Sequence, residues 1–318
     1  MVDVAACPDV LKPLQTIGEV IELPACQDAL LERIHEFDAF VTSLAVQTNR
    51  EILENARKLQ VIATPSTGVD HIDVTEAQKR GITVLSLKDD SEFLRKVTAT
   101  AELTWGLLLA LVRRLPAAFT AARAGRWARD EFRGTQLFGK TLGVVGYGRL
   151  GKMVAEYGLA FGMRTLLCDV KKVPTPSGVE QVDFDTLLQC SDVVTIHVHL
   201  SDSTRGMFDD TAFRNMKPGA VLINTSRGGI IDECALLMAL ETGRLAGAGL
   251  DVIDGEWRRD LDQHSLIRYA NEHENLLISP HIGGVTRESQ TVAYERIVQR
   301  LIQFFREPQL SRSCRSQK

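Results

Sequence analysis

Three ionisable residues follow apolar runs in the second half of the chain, where strands are predicted to end: Arg227 in INTSRGGIIDE, Glu256 in GLDVIDGE and His281 in ISPHIGG. A guanidinium presents paired donors to a carboxylate and polarises a neighbouring oxygen. An imidazole titrates near neutral pH, and a carboxylate beside it favours its protonated form. The set suits hydride transfer at C2 of a small 2-hydroxy or 2-oxo acid, with Arg227 binding and polarising the substrate, His281 as acid/base and Glu256 tuning the histidine.

Each of these residues, taken singly, would more often be an ordinary surface residue. Their joint placement carries the hypothesis, because ligands of open α/β sheets bind beyond the carboxyl ends of the strands.

A glycine-rich segment, GYGRLG at 146–151, follows the apolar run Thr141–Val145 and opens a helical pattern. Gly146 permits a tight turn, Gly148 lets the backbone approach a pyrophosphate, and Gly151 lets the helix pack closely on the strand. The helix N-terminus offers free N–H groups to phosphates. The context favours a dinucleotide site over a glycine-rich turn before an ordinary helix.

Asp169 closes the next apolar run, 18 residues after Gly151. Its carboxylate can accept hydrogen bonds from the adenosine ribose and would repel a 2′-phosphate, so the predicted cofactor is NAD rather than NADP. Lys171 and Lys172 follow closely and moderate that preference. The alternative is that Asp169 only caps the end of a strand.

The elements that must position these residues alternate between strands and helices, which predicts parallel sheets. Four strands are predicted in the first hundred residues: Gly18–Leu23, Ala39–Ser43, Val61–Ala63 and Ile82–Leu85. Six more lie between Lys140 and Ser279, as in a doubly wound sheet. The predicted fold is α/β, with two Rossmann-like or flavodoxin-like doubly wound parallel-sheet domains and the active site in the cleft between them.

The predicted domains are a substrate-binding domain over 1–98, completed by 288–318, and a dinucleotide-binding Rossmann domain over 99–287. The segment 99–111 predicts a helix that is apolar almost all round, and such a helix is buried either in a core or at a subunit interface.

Composition excludes several classes of protein. The chain has 318 residues, 44% hydrophobic and 25% charged, with a net charge of −4, which gives no basic footprint for nucleic acid. The apolar run at 107–112 is far shorter than the roughly 20 residues of a membrane span. The six cysteines are scattered without metal-ligand spacing, which favours reduced thiols and a cytoplasmic protein with no metal.

Six blocks of the sequence resemble the D-isomer-specific 2-hydroxyacid dehydrogenase family, and most closely its phosphoglycerate-dehydrogenase-like branch. The blocks are STGVDHIDV at 66–74, ATAELTWGLLLAL at 99–111, GKTLGVVGYGRLG at 139–151, INTSRGGIIDE at 223–233, GAGLDV at 247–252 and SPHIGG at 279–284. The resemblance extends from Asp38 to Phe305 and is highly specific in combination.

The resemblance implies that Arg227, Glu256 and His281 form the catalytic triad, and that Gly68 and Val69 offer backbone N–H groups to the substrate carboxylate. It also implies a homodimer, with the cofactor domains at the interface. The implied cofactor contacts beyond the three glycines are Thr67, Arg149, Leu150, Asp169, Val198, Thr225 and Asp251.

Several departures from the family pattern bear on the substrate. Thr42 and Leu44 stand where phosphoglycerate enzymes tend to carry arginines, which argues against phosphoglycerate. The segment 88–97 is longer than usual, and an extended loop is expected over 257–275. Enzymes that oxidise formate typically carry Gln at the position of Glu256, so that activity is disfavoured.

A second hypothesis belongs to another class. An NAD(H)-sensing, corepressor-like binding protein shares this fold and triad but turns over little substrate. An exposed hydrophobic peptide groove on the first domain, or long disordered extensions, would favour it, and the sequence shows no such extension.

Overall fold

The structure, a computed structural model, describes residues 9–307 and divides into two compact units. One unit comprises 9–97 together with 285–307, and the other comprises Thr98–Gly284. The sequence placed these boundaries at 98/99 and 287/288. Both predicted outer ends, with Cys7 and Cys314, lie outside the described residues.

The first unit contains a small parallel sheet. Its strands and helices are β1 (Ala39–Val41), β2 (Val61–Ala63), β3 (Thr83–Leu85), α1 (Gln27–Arg33), α2 (Arg50–Asn55), α3 (Val74–Lys79) and α4 (Ser91–Leu94). The strand order is β1-β2-β3, with Val41 opposite Ala63 and Ala63 opposite Leu85. Every residue of the central strand β2 is buried, as expected for a strand covered on both faces.

The predicted strand Gly18–Leu23 is wrong. No ladder forms over 18–23, and the segment runs as an extended loop. Val20 and Leu23 pack against two cores of the first unit, while Glu19 and Glu22 are exposed. The alternation of apolar and polar residues therefore reflects a half-buried segment that has no neighbouring strand.

The second unit is a seven-stranded, wholly parallel sheet with helices on both faces. Its strands are β4 (Thr141–Val145), β5 (Arg164–Cys168), β6 (Val179–Gln181), β7 (Val193–Ile196), β8 (Ala220–Asn224), β9 (Leu245–Leu250) and β10 (Leu276–Ile278). Its helices are α5 (Ala99–Val112), α6 (Leu115–Arg123), α7 (Arg149–Ala160), α8 (Phe184–Cys190), α9 (Asp210–Asn215), α10 (Glu233–Glu241) and α11 (Ser265–Glu272). The final helix, α12 (Arg287–Arg306), belongs to the first unit.

The strand order of the large sheet is β10-β9-β8-β7-β4-β5-β6, so the order reverses between β4 and β7. Successive residues of a strand point to opposite faces. In β8, Leu222 therefore packs in one core and Ile223 in the core on the other face. A parallel sheet of this order binds its ligand beyond the carboxyl ends of the strands, at the reversal.

α5 packs in a core of the second unit, with Trp105 and Leu108 buried against the sheet, which is one of the two placements that the sequence predicted for it. Another element differs from the sequence-based expectation. The expected loop 257–275 contains α11, which buries Leu266 and Tyr269 and exposes its polar face. No single helix within 9–307 is long and apolar enough to span a membrane; only the bent pair Glu92–Val112 and Leu115–Arg123, at 64°, passes that test together.

Candidate active site

The backbone of Arg227 is held in a fixed turn after β8. The side chain of Asn224 donates to Arg227 O (2.9 Å) and accepts from Ser226 N (2.9 Å). Ser226 Oγ donates to Ile196 O at the end of β7 (2.7 Å), which ties the turn to the neighbouring strand. The polar residues of this turn are therefore used to orient Arg227.

Gly228 brings the turn of Arg227 against the loop that carries Glu256. A Cβ at this position would lie 2.0 Å from Ile253 C and 2.2 Å from Asp254 N. No side chain fits between the two backbones, so glycine is required here by close approach rather than by an unusual φ angle.

Glu256 and His281 form a hydrogen-bonded pair. Oε1 of Glu256 lies 2.7 Å from Nδ1 of His281, and the two side chains are 16% and 21% exposed. His281 Nε2 makes no hydrogen bond within residues 9–307. The ring is thus held at one nitrogen and offers the other.

The turn of His281 is strained and is held by Asp251. His281 has a φ of +53°, in the left-handed region that side chains rarely adopt. The carboxylate of Asp251 accepts from Ser279 Oγ (2.6 Å), Ile282 N (2.8 Å) and Gly283 N (2.7 Å), and Asp251 O accepts from His281 N (2.9 Å).

Burial raises the pKa of Asp251. The family pattern implies a cofactor contact for Asp251, and the structure gives its carboxylate a further task that the sequence did not reveal. Nothing in the spacing between Asp251 and Gly283 signals that contact.

The glycine-rich segment has the close contacts that a dinucleotide site needs. Gly146 directly follows β4 with a φ of +92°, and a Cβ there would lie 2.6 Å from His197 O. A Cβ at Gly151 would lie 2.0 Å from Gly146 O, so α7 packs directly on the turn. A Cβ at Gly148 would meet no atom within 4 Å, so this backbone is open to an approaching group.

The remaining predicted cofactor residues of the second unit surround this turn or lie near it. Asp169, directly after β5, accepts from Tyr147 N (2.8 Å) and Lys171 N (2.9 Å). Arg149 is the first residue of α7, and burial lowers the pKa of its guanidinium. Leu150 follows in the same helical turn, and the Val198 side chain lies 2.8 Å from a Cβ at Gly146.

Thr225 differs from this group. It is buried, and its hydroxyl pairs with Thr104 in α5 at 2.9 Å. Its side chain therefore links α5 to the end of β8.

His197 was not singled out from the sequence. It follows β7, and its Nε2 lies 2.9 Å from Thr195 Oγ1. Its Nδ1 is buried and has no partner among residues 9–307. Burial lowers the pKa of His197 to about 3, so the ring is neutral near pH 7.

The predicted substrate loop of the first unit carries Thr67, Gly68 and Val69, after β2. Ser66 Oγ donates to Gly68 O, and Leu87 N donates to Ser66 O (3.0 Å), which fixes the loop. Within the described part of the chain, the N–H groups of Gly68 and Val69 have no acceptor. The loop therefore presents two adjacent donors suited to a carboxylate.

The two places where the first unit departs from the family pattern, Thr42 and the stretch 88–97, are both ordered parts of the fold. Thr42 is fully buried. The longer stretch 88–97 contains α4, and the carboxylate of Asp90 binds Arg296 Nε (2.5 Å) and Arg300 Nη2 (3.1 Å) of α12. The Arg296 hydrogen bond holds the pKa of Asp90 below its usual value.

Comparison with models of known protein families gives a match over most of the second unit. The model of the family "D-isomer specific 2-hydroxyacid dehydrogenase, NAD binding domain" matches residues 105–283. The chain belongs to this family. It is therefore an NAD-dependent D-2-hydroxyacid dehydrogenase of α/β fold, and its cofactor is NAD.

Three similar proteins illustrate the family. A glyoxylate reductase of Thermococcus litoralis is 40% identical over 289 residues, covering 86% of this chain and 82% of its own length. A D-3-phosphoglycerate dehydrogenase of Rattus norvegicus is 36% identical over 274 residues, covering 85% of this chain but only 49% of its own length, so the chain spans about half of that relative. The D-lactate dehydrogenase of Aquifex aeolicus, solved with NAD and lactic acid, has a TM-score of 0.79 at 29% identity, covering 96% and 93% of the two chains.

The residues present fit the binding of NAD. The open Gly148 backbone, the start of α7 and the Asp169 carboxylate are what a pyrophosphate and a ribose need. Among the described residues, no group of three or more His, Cys, Asp or Glu side chains is placed to hold a metal ion.

Proposed function

We propose that Arg227, Glu256 and His281 carry hydride-coupled proton transfer at C2 of a small D-2-hydroxy or 2-oxo acid. The observation that carries the proposal is the 2.7 Å contact between Glu256 Oε1 and His281 Nδ1, in a loop packed directly against the turn of Arg227. The nicotinamide of NAD supplies or accepts the hydride.

The proton belongs to His281. Glu256 occupies Nδ1, so Nε2 is the ring atom that exchanges a proton with the C2 oxygen. Arg227 holds the substrate carboxylate and polarises the same oxygen. The N–H groups of Gly68 and Val69 offer a second site for the carboxylate.

The proposed substrate is a small 2-oxo acid without a phosphate. Thr42 is buried and uncharged where a phosphate would need arginine, and Leu44 beside it carries no charge. The glyoxylate reductase relative supports a short substrate. Glyoxylate, pyruvate and hydroxypyruvate are therefore the first acids to test.

The proposed preference is for NAD over NADP. The Asp169 carboxylate is fixed by two backbone donors, Tyr147 N and Lys171 N. A fixed negative charge favours ribose hydroxyls and repels a 2′-phosphate.

The proposed assembly is a cytoplasmic homodimer. The three most exposed aromatic side chains of the second unit are Phe119 at 59%, Trp127 at 87% and Phe138 at 72%. Exposed apolar side chains of this size are typical of protein interfaces. Light scattering on the purified chain distinguishes a dimer from a monomer.

Turnover with NADH is the direct test, followed at 340 nm with glyoxylate, pyruvate, hydroxypyruvate and 3-phosphohydroxypyruvate. We expect reduction of at least one of the first three acids and little reduction of the phosphorylated one. Arg227→Lys should raise KM and lower kcat together, by about tenfold or more, because lysine keeps the charge but loses the paired donors. Arg214→Lys on the exposed face of α9 is the control.

If none of the acids is reduced although NADH still binds, the proposed enzymatic function would be contradicted and the corepressor-like hypothesis supported. Rapid reduction of 3-phosphohydroxypyruvate would contradict the substrate class alone.

A further inference from the structure

Two side chains, the half-buried Glu233 and the buried His264, hold the backbone of the loop that carries Glu256. Glu233, the first residue of α10, accepts from Asp254 N at its Oε1 (2.7 Å). His264 Nε2 lies 3.0 Å from Asp254 O and 3.3 Å from Glu233 Oε2. Because the side chain of Asp254 is exposed, the contact is with its backbone alone. Both backbone polar groups of Asp254 are thus held by side chains.

The histidine performs two tasks with its two nitrogens. Nδ1 of His264 accepts from Leu266 N (3.3 Å) as the N-cap of α11. Since Nδ1 accepts, Nε2 of the neutral ring carries the proton and donates to Asp254 O. The ring is only 4% exposed, so water does not compete for that bond. The ring therefore links α11 to the loop.

The same backbone supports the turn of Arg227. Gly228 packs against Ile253 and Asp254 with no room for a Cβ. Gly255, with a φ of +71°, then turns the chain toward Glu256. A displacement of the Asp254 backbone would therefore move Glu256 and the Arg227 turn together.

We propose that Glu233 and His264 are positioning residues, which act through the Asp254 backbone to keep Glu256 within hydrogen-bond distance of His281. This inference rests on the proposed function, because it assigns the pair no chemistry of its own. The loop from Val252 to Glu256 has no helix or strand hydrogen bonds, so side chains must supply its rigidity. Catalytic groups misplaced by about 1 Å lose large factors in rate.

Two substitutions of His264 separate its tasks. Asparagine places an oxygen where Nδ1 lies, so His264→Asn keeps the cap of Leu266 and loses the donor to Asp254. Glutamine places an N–H where Nε2 lies, so His264→Gln keeps the donor and loses the cap. We expect kcat with a competent 2-oxo acid to fall at least about tenfold in His264→Asn and to stay within about threefold of wild type in His264→Gln. NADH affinity, measured by fluorescence titration, should be unchanged in both.

A double-mutant cycle with Glu256→Gln tests whether the effect passes through Glu256. If it does, His264→Asn should change kcat by less than about twofold in the Glu256→Gln background, because the group it positions is already lost. Should His264→Asn fail to fold, Glu233→Gln, which places an amide N–H toward His264 Nε2, carries the same cycle.

The outcomes separate this inference from the proposed function. Equal losses of kcat in the Asn and Gln variants, or full additivity with Glu256→Gln, would overturn the positioning role and leave the triad standing. If Glu256→Gln itself leaves turnover at the wild-type rate, the role proposed for Glu256 is wrong, and the positioning role falls with it.

Discussion

His281 Nδ1 and Glu256 Oε1 lie 2.7 Å apart, although 25 residues separate them along the chain. The two residues follow β9 and β10, which are neighbours in the sheet, so the pairing arises from strand order rather than from sequence distance. One nitrogen of the ring is thereby committed to a carboxylate, and the other is available for substrate.

Replacing either partner of that pair should impair chemistry more than binding. His281→Asn should lower kcat by about 10² to 10⁴, because the proton of the C2 oxygen loses its carrier. Glu256→Gln should lower kcat less, by about tenfold or more, since the amide still fixes the ring but supplies no charge. Stopped-flow and steady-state rates with glyoxylate measure both, and Glu180→Gln, at an exposed surface ion pair, is the control. Equal rates in His281→Asn and the control would contradict the assignment.

Alanine substitutions at two glycines of the motif at 146–151 should affect different properties, NADH affinity at Gly148 and stability at Gly151. Gly148→Ala places its methyl group in open space, so the thermal unfolding temperature should be preserved while the dissociation constant of NADH rises about tenfold or more. Gly151→Ala places its methyl group 2.0 Å from Gly146 O, so it should lower the free energy of unfolding by about 1–3 kcal/mol. Calorimetry and NADH titration distinguish them. A Gly148→Ala protein with unaltered NADH affinity would show that the cofactor does not approach this backbone.

The neutral, half-buried His197 should make the free energy of unfolding depend on pH. Burial lowers its pKa from 6.5 to about 3, so between these values the unfolded chain binds a proton that the native chain excludes. The free energy of unfolding is therefore not reduced by His197 above pH 6.5. Below pH 6.5 it falls by up to about 1.4 kcal/mol per pH unit, because the unfolded chain binds the extra proton.

Urea unfolding of wild type and His197→Gln between pH 5 and 7 tests this dependence. The slope of unfolding free energy against pH should flatten in His197→Gln and persist in His35→Gln, which alters an exposed histidine. Identical slopes in all three proteins would indicate that His197 titrates normally.

The Asp90 ion pairs should stabilise the first unit without touching the NAD site. Asp90 is 11% exposed, whereas Arg296 and Arg300 are 40% and 27% exposed. Because both cations keep access to water, Asp90→Asn should cost about 1–2 kcal/mol, less than a fully buried pair. Urea unfolding measures the loss, with the exposed Asp89→Asn as a matched control. A similar cost for both variants would mean that the ion pairs add nothing.

The sequence predicted those elements whose signal is local. β4 and β2 have the predicted bounds, because each is a short apolar run. The strand expected at 18–23 failed because a ladder needs a neighbour, which no local pattern reveals. α11 was hidden by its polar face, and its N-cap is a histidine rather than the usual Ser, Thr, Asp or Asn.

The features of the candidate site also divide into those with a local sequence signal and those that depend on distant residues. The Gly146 turn and its helix could be recognised because the backbone conformation itself requires glycine there. The tasks of Asp251 and His197 could not be predicted, because each depends on residues brought near by the sheet. The pair Glu233 and His264 was also invisible, since its target is a backbone group, which leaves no trace in side-chain spacing.

The first unit is assembled from two distant stretches of chain. α12 contributes Tyr294, Ile297, Val298 and Leu301 to a core whose other members include Val61 and Leu87. During translation, residues 9–97 must therefore wait, with apolar surface uncovered, until α12 has been made. The continuous stretch Thr98–Gly284 is able to complete its sheet in the meantime. Residues 9–97 are thus synthesised before Thr98–Gly284 but mature after it, and nascent chains arrested before 287 would present them to chaperones and proteases.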